Sequence, residues 1–465
     1  MERGRAGAIV LAAGASSRFG GRKPLARLGG RTLLQHVLDA VAASSLGETV
    51  VVLGHAADEV EAGTQWRGER RVRNPDPDAG LSSSLRVGQA ALEAVAGDRL
   101  DGAFFVLGDQ PLLRPETLTA LLAALQPGDP AVAVPVYESG GSNPVLVARA
   151  AWPLALEAVG DRGLGPVLRA HPELVREVPV RGRNPDVDTP GDLAALEWSE
   201  RVRANRDQVD RVREVEDPFD FYGPQVHRFR SDPRRTGDAT LDALRSLARP
   251  DDTWLDIGAG AGRFSLPLAL LVREVVALDP SPGMLAALRE SAAAAGIDNV
   301  RTVEARWPMG APGPVADVAL IANVGHDVED FGLFLDAMEA SARRLCVAVM
   351  SERQPAAAAE PYWPPVHGEP RATLPALPDL LALLEARGSR AEITMVDQPA
   401  RTYPDEAELL AFLRGQLWVT PGGPKDRLLR DLARADLVAR DGGVALRGEV
   451  GRRAGVVRWH PHDAR

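Results

Sequence analysis

The chain has 465 residues, 45% of them hydrophobic and 25% charged, an ordinary globular composition with room for more than one core. A net charge of −10 excludes a dominant nucleic-acid surface, which needs a basic footprint. The single cysteine, Cys346, excludes an internal disulfide, and no apolar run is long enough to span a bilayer, so a cytoplasmic protein with no membrane partner is expected.

The first predicted element is an apolar run at 8–13, read as a buried strand that begins too early to leave room for a signal peptide. It runs into Gly14-Ala15-Ser16-Ser17-Arg18-Phe19-Gly20-Gly21-Arg22-Lys23-Pro24, and apolar residues at helical spacing follow at 31–43. A strand, a glycine-rich loop and a helix together make an anion site, because unpaired backbone N–H groups converge there. Arg18 and Lys23 add mobile positive charge to the loop. Of 54 basic residues, only Lys23 and Lys425 are lysine. A compact charge on a flexible stem suits a phosphate that moves during reaction better than a planar guanidinium does. The stretch reads as a polyphosphate grip; the alternative is a solvated loop whose lysine is chance.

Further strands are expected at 49–53, 103–107, 131–136, 144–147 and 174–180, with helices at 81–96, 115–125, 151–159 and 191–198. Residues 200–216 are charged, and Asp217-Pro218-Phe219-Asp220-Phe221-Tyr222-Gly223-Pro224 breaks that segment. A second strand–helix alternation has its strands at 253–257, 274–278, 300–303, 315–321 and 345–350. Proline and glycine crowd 354–378, which reads as a long loop or lid, and 390–396 and 455–459 read as closing strands. The expected architecture is α/β throughout, two Rossmann-like three-layer α/β/α domains in tandem. They would cover residues 1–198 and 199–465, the latter with a helical entry at 199–250, a cofactor-binding core at 251–352, and a lid with C-terminal strands at 353–465. Ligands then belong at the carboxyl ends of the strands.

Asp109 lies just past the strand at 103–107, so its carboxylate belongs at that edge. A hard oxygen ligand there suits Mg²⁺, with Asp188 as second ligand. The alternative is helix capping, which is plausible for Asp188 ahead of Gly191 and poor for Asp109, which lies well upstream of Pro115.

Leu11-Ala12-Ala13-Gly14, with Ser16, Ser17, Arg18, Gly20 and Lys23-Pro24, resembles the signature loop of the MobA-like nucleotidyltransferases, and among them the molybdenum cofactor cytidylyltransferases. Gly108-Asp109-Gln110-Pro111, Gly141-Ser142-Asn143-Pro144-Val145 and Asp186-Val187-Asp188-Thr189-Pro190 extend the resemblance in order over residues 6–197. It implies that a phosphate of molybdopterin attacks the α-phosphorus of CTP, and that pyrophosphate leaves, held by the loop and Mg²⁺. Arg18, Lys23 and Asp109 would be catalytic, and Asp109 and Asp188 would hold the metal. Leu11, Ala12, Ala13, Gly14, Ser16, Ser17, Arg18, Lys23, Asn74, Gly80 and Ser82 would line the nucleotide. An anionic nucleophile needs no general base, in keeping with the absence of a well-placed histidine. A methyl at Ala13 would leave less room for a purine. Ser82, Ser83 and Ser84 either cap a helix or touch substrate. The partner implied is a molybdenum hydroxylase or its maturation factor; the alternative acceptor is a sugar phosphate.

In the second half, Trp254-Leu255-Asp256-Ile257-Gly258-Ala259-Gly260-Ala261-Gly262-Arg263 is a strand and a glycine turn, and the next strand ends in Asp279, placed to bind ribose hydroxyls. A nicotinamide fingerprint would need glycine where Arg263 stands. The pattern instead resembles class I S-adenosylmethionine-dependent methyltransferases, a likeness extended by residues 279–285 and 316–320 and covering 217–350. It implies S-adenosylmethionine bound by Asp256, Gly258, Gly260, Gly262, Asp279, Met284, Glu304, Ala305 and Asn323. Glu304-Ala305 departs from the Asp-Ala frequent in that family. His326 is either a base for the methyl acceptor or a polar loop histidine. The acceptor is unspecified, and a module that binds the cofactor without turnover is the alternative.

Overall fold

The computed structural model describes residues 5–125, 131–138, 140–215, 226, 229–310, 313–354, 356–449 and 451–461. By internal contacts the chain divides into two compact units, Met1–Leu193 and Ala194–Arg465. The expected break at 217–224 lies outside the described residues.

The first unit has β1 (Ala6–Ala12), β2 (Arg27–Leu28), β3 (Arg31–Thr32), β4 (Thr49–Leu53), β5 (Arg70–Arg73), β6 (Gly102–Leu107), β7 (Val132–Val136), β8 (Val145–Ala148) and β9 (Val175–Pro179). Seven of these form one sheet, ordered β5-β4-β1-β6-β8-β7-β9 and parallel except for β8, while β2 and β3 make a small ribbon. β1 is central because it is apolar on both faces. Ala8 and Val10 pack with Leu34, Val37 and Leu118 on one side, and Ile9 and Leu11 with Leu85 and Leu92 on the other. A strand buried on both faces reads as a continuous apolar run. Strand order reverses at β1/β6, which places a crevice at the carboxyl ends of those two strands.

Two features differ from expectation. β5 reads Arg-Arg-Val-Arg; as an edge strand it carries no buried face, so no apolar pattern announces it. The helix expected at 191–198 runs unbroken as Pro190–Val212, because Trp198, Val202 and Val209 continue the buried stripe through the charged residues.

The second unit has β10 (Thr253–Ile257), β11 (Glu274–Asp279), β12 (Val300–Glu304), β13 (Ala316–Ala322), β14 (Ala342–Ser351), β15 (Glu392–Gln398), β16 (Leu437–Arg440), β17 (Gly443–Leu446) and β18 (Arg452–Trp459). Its sheet is ordered β12-β11-β10-β13-β14-β18-β15, with β18 antiparallel to both neighbours and a reversal at β10/β13. Cores cover both faces here too, one around Leu255 and Ile257, the other around Trp254. Both units are therefore α/β sandwiches. The segment read as a loop or lid, 354–378, is folded: it holds the helix Trp363–His367, whose Trp363 is fully buried among Leu409, Leu413 and Leu429. Pro364 and Pro365 sit in the first turn of that helix, where a backbone N–H is not required. Among the described residues no helix is long and apolar enough to cross a membrane.

One core contact tests the first unit's packing. Gly88 lies in the helix Leu81–Ala96, where a Cβ would meet Ile9 Cγ2 at 2.3 Å and Val52 Cγ2 at 2.9 Å. Helix propensity favours Gly88→Ala by about 1 kcal/mol, whereas overpacking costs about 1–3 kcal/mol. Since both contacts come from the sheet, the variant is expected to lower stability in urea denaturation.

Candidate active sites

In the first unit the chain leaves β1 and turns at Ser16, which is left-handed (φ 54°) and whose carbonyl accepts from the N–H groups of Phe19 and Gly20. Lys23 then opens a short 3-10 turn, Lys23–Leu25, anchored by buried Pro24. Two glycines let neighbouring strands close on this loop. A Cβ at Gly54 would lie 2.2 Å from the Ala13 carbonyl oxygen, and one at Gly108 would lie 2.9 Å from that of Leu11. Gly108 thus sets its successor, Asp109, against the loop.

Two cationic side chains, Lys23 and Arg18, converge on Asp188 and Asp109. Lys23 Nζ donates to Asp109 Oδ2 at 2.5 Å and to Asp188 Oδ1 at 3.1 Å, and Arg18 pairs with Asp188 Oδ2 at 2.9 Å. Burial works against the Lys23 ammonium, but the two carboxylates outweigh it and hold its pKa above the ordinary lysine value. Asp109 Oδ1 is buried without a hydrogen-bond partner.

Neither carboxylate caps a helix. The N–H groups of Asp188 and Thr189 donate to Asp192 Oδ2, and Asp192 N–H donates to Thr189 Oγ1. That reciprocal box closes the start of Pro190–Val212 and leaves the Asp188 side chain to the two cations. The helix Pro115–Ala124 has Arg114, not Asp109, at its cap. Two carboxylates already sharing a cation, with a buried acceptor left over on Asp109, fit a hard divalent ion completed by phosphate and water oxygens. Among the described residues no group of three or more His, Cys, Asp or Glu side chains forms a protein-only metal cage.

Sequence reasoning passed over the residues that hold this cluster. Val187 N–H donates to the Asp109 carbonyl, Gln110 Nε2 to Asp186 Oδ1, and Asn184 Nδ2 to Gln110 Oε1. Burial, and then the nearby charge of Asp109, push the Asp186 carboxyl above its usual range. Gln110 and Asp186 stood inside quoted motifs, and a polar residue beside a buried strand end was the available signal.

The remaining expected nucleotide residues divide into two sets. Gly14 faces open space, with nothing within 4 Å of a Cβ placed there, and Ser16 and Ser17 stand beside it on the loop. Leu11 and Ala13 belong to the core face shared with Ile9, and Ala12 packs on the opposite face. The Ala13 methyl therefore contacts protein, and the expected crowding of a purine by it is corrected: its side chain points into the core. Asn74, Gly80 and Ser82 form a separate cluster. Asn74 Nδ2 donates to Ser83 Oγ at 2.7 Å and to Ser84 Oγ at 3.0 Å, Ser82 is buried, and left-handed Gly80 lies against Asp161.

In the second unit the carboxyl ends of β12, β11, β10 and β13 bring Glu304, Asp279, the glycine turn and Asn323 to one edge. The three glycines serve different ends. A Cβ at Gly258 would strike Val324 Cγ2 at 2.5 Å, and one at Gly262 would strike Leu266 and Leu288 at 2.9 Å. Gly260 is left-handed (φ 54°) and faces open space. Asp279 accepts from Gly260 N–H and Ser281 N–H, both at 2.8 Å, and so ties the turn to β11. Glu304 and Asn323 are exposed, Ala305 N–H donates to the Asp279 carbonyl, and Met284 is buried at the start of Pro282–Ala295. Asp256 is turned inward onto Ser265 Oγ, and burial pushes its carboxyl up to about 6. His326 lies in the turn after β13 and is buried. Its Nδ1 lies 2.7 Å from the Pro375 carbonyl, so Nδ1 carries the hydrogen, and burial lowers its pKa.

Residues 8–175 match the family model of the MobA-like NTP transferase domain, and residues 255–343 match that of a methyltransferase domain. The first unit is a MobA-like NTP transferase domain, and the second holds a methyltransferase domain. The bifunctional protein GlmU of Sorangium cellulosum (strain So ce56) is 35% identical over 136 residues, which are 27% of this chain and 28% of that protein. The chain thus spans little more than a quarter of that curated relative. A crystal structure of a homolog of Mycobacterium tuberculosis Rv0371c, from Mycobacterium sp. strain JC1, is 34% identical and covers 43% of this chain and 98% of its own, with a TM-score of 0.38. A putative methyltransferase from Bacillus halodurans C-125 is 16% identical and covers 49% of this chain and 100% of its own, with a TM-score of 0.37.

The buried carboxyl of the methyltransferase domain carries a pH signature. Its folded pKa of about 6 lies above the ordinary 3.8, so its contribution to stability is fully present below the unfolded value and is lost as pH rises through 6. Asp256→Asn removes that loss. In urea denaturation the variant is expected to gain on the wild type from acid to neutral pH, by up to about 3 kcal/mol.

Proposed function

We propose that the MobA-like domain transfers CMP from CTP to a phosphate of molybdopterin, with release of pyrophosphate. The observation that carries this reading is the Lys23 ammonium shared by Asp109 and Asp188 beside a glycine loop open to solvent. An oxygen of the acceptor phosphate attacks the α-phosphorus while the bond from that phosphorus to the β-phosphate bridge breaks. The nucleophile is already anionic, so positioning and charge neutralisation carry the rate. Lys23 and Arg18 accompany the departing pyrophosphate, and the N–H groups around Gly14 hold its oxygens. Mg²⁺, held by Asp109 and Asp188, would supply further neutralisation of that leaving group.

CTP and molybdopterin are supported by the resemblance of Leu11-Ala12-Ala13-Gly14 and the later motifs, and with them go a cytoplasmic setting and a molybdenum hydroxylase or its maturation factor as recipient. Incubation with each nucleoside triphosphate, Mg²⁺ and either molybdopterin or sugar phosphates tests this by pyrophosphate release. The expected pair is CTP with molybdopterin; release with a sugar phosphate alone would overturn the acceptor. Lys23→Met and Asp109→Asn are each expected to lower kcat by about a hundredfold or more, with circular dichroism unchanged.

For the methyltransferase domain we infer S-adenosylmethionine at the β10–β13 edge, with its ribose toward Asp279 and its adenine toward Glu304. A methyl group then passes to an acceptor that approaches past Asn323. Gly260 faces the space this cofactor would fill. Gly260→Ala is accordingly expected to weaken S-adenosylmethionine binding by roughly tenfold or more in calorimetry. Unchanged affinity would remove the turn from the cofactor site.

A further inference from the structure

Lys23 holds one oxygen of each carboxylate to which the divalent ion is assigned. Its Nζ lies 2.5 Å from Asp109 Oδ2 and 3.1 Å from Asp188 Oδ1, so it occupies the space between the two. A magnesium ion needs such oxygens at about 2.0–2.1 Å, which leaves no room for an ammonium between them. The ammonium leaves one demand unmet, since Asp109 Oδ1 is buried with no partner. The backbone beneath Lys23 is fixed by buried Pro24, whereas the loop ahead of it, at Gly20 and Gly21, faces open space. A lysine stem has the rotatable bonds to move its charge from one anion to another without moving the backbone.

We propose that Lys23 is the resident cation of the Asp109–Asp188 pair in the nucleotide-free protein, and that it is exchanged onto the polyphosphate as metal and triphosphate enter together. The inference rests on the reading of Asp109 and Asp188 as metal holders. It adds an order of binding: the metal site is closed by the protein's own charge until a triphosphate draws that charge away. Arg18 does not serve as the gate in the same way, because it reaches only Asp188 and is largely exposed.

Binding of Mn²⁺ alone, followed by electron paramagnetic resonance on the full chain, tests the exchange without any turnover. Lys23→Met is expected to bind Mn²⁺ roughly tenfold or more tightly than the wild type, and adding Asp109→Asn to it should abolish the gain. Equal affinity in wild type and Lys23→Met, still dependent on Asp109, overturns the exchange and leaves the metal site standing. No Mn²⁺ binding in either protein removes the metal site and the exchange together.

A second measurement leaves Lys23 and both carboxylates in place. With only two lysines in the chain, Lys425→Arg leaves Lys23 as the sole isotope-labelled lysine in an NMR spectrum. Its ammonium signal should shift when Mg²⁺ and inorganic tripolyphosphate are added together and stay in place with Mg²⁺ alone. A signal that ignores the pair, or that moves as far with Mg²⁺ alone, overturns the proposal.

Discussion

The first domain is arranged around an ammonium held between two carboxylates that lie far apart in the sequence. Taking Lys23 partly out of water disfavours its charge, and Asp109 and Asp188 together more than offset that. That geometry has preconditions elsewhere. Gly108 must lack a side chain for Asp109 to reach the loop, and the Val187 N–H must find the Asp109 carbonyl for Asp188 to follow. Asp192 must take over the helix cap, or Asp188 would be drawn to it. The sheet supplies the edge, but these three local contacts turn an edge into a charged cluster.

The parts of this that were legible in the sequence are those with a local cause. β1 and β10 are continuous apolar runs, and Asp109 follows a buried strand, so both edges and one carboxylate were visible. Asp188 was ambiguous because capping depends on which of two neighbouring acids bonds backward, and Asp192 wins by completing a box with Thr189. The chain Asn184–Gln110–Asp186 joins side chains from distant segments, which no spacing rule encodes. Ala13 shows a different gap. Its residue type was read correctly, but which way its methyl points depends on which face of the sheet takes the odd positions of β1, and a shift of one residue would reverse that.

The helix Pro190–Val212 and the segment 354–378 differ from expectation for opposite reasons. In the first, a helix at 191–198 and a helical entry from 199 are one element, joined by the buried stripe of Trp198, Val202 and Val209; in the second, Pro364 and Pro365 open a helix within a stretch read as loop. In both, position decides where composition was read. A proline forbids a helix interior and favours a first turn, so its meaning follows only once the neighbouring buried residue, here Trp363, is known.

The two domains use one scaffold with different side chains on the turn. Each sets a glycine turn after a central parallel strand, beside the point where strand order reverses. In the first, the turn carries Arg18 and Lys23, and Gly14, Gly20 and Gly21 all face open space. In the second, Gly258 and Gly262 are consumed by packing, only Gly260 faces outward, Asp279 bonds the turn, Glu304 is exposed at the same edge, and Arg263 after the turn is paired with Asp238. A cationic turn selects an anionic ligand such as a polyphosphate. An acidic edge repels that ligand and accepts hydroxyl and amine donors, the groups that a nucleoside presents. Fold alone therefore does not separate the two chemistries; the side chains carried by the turn do.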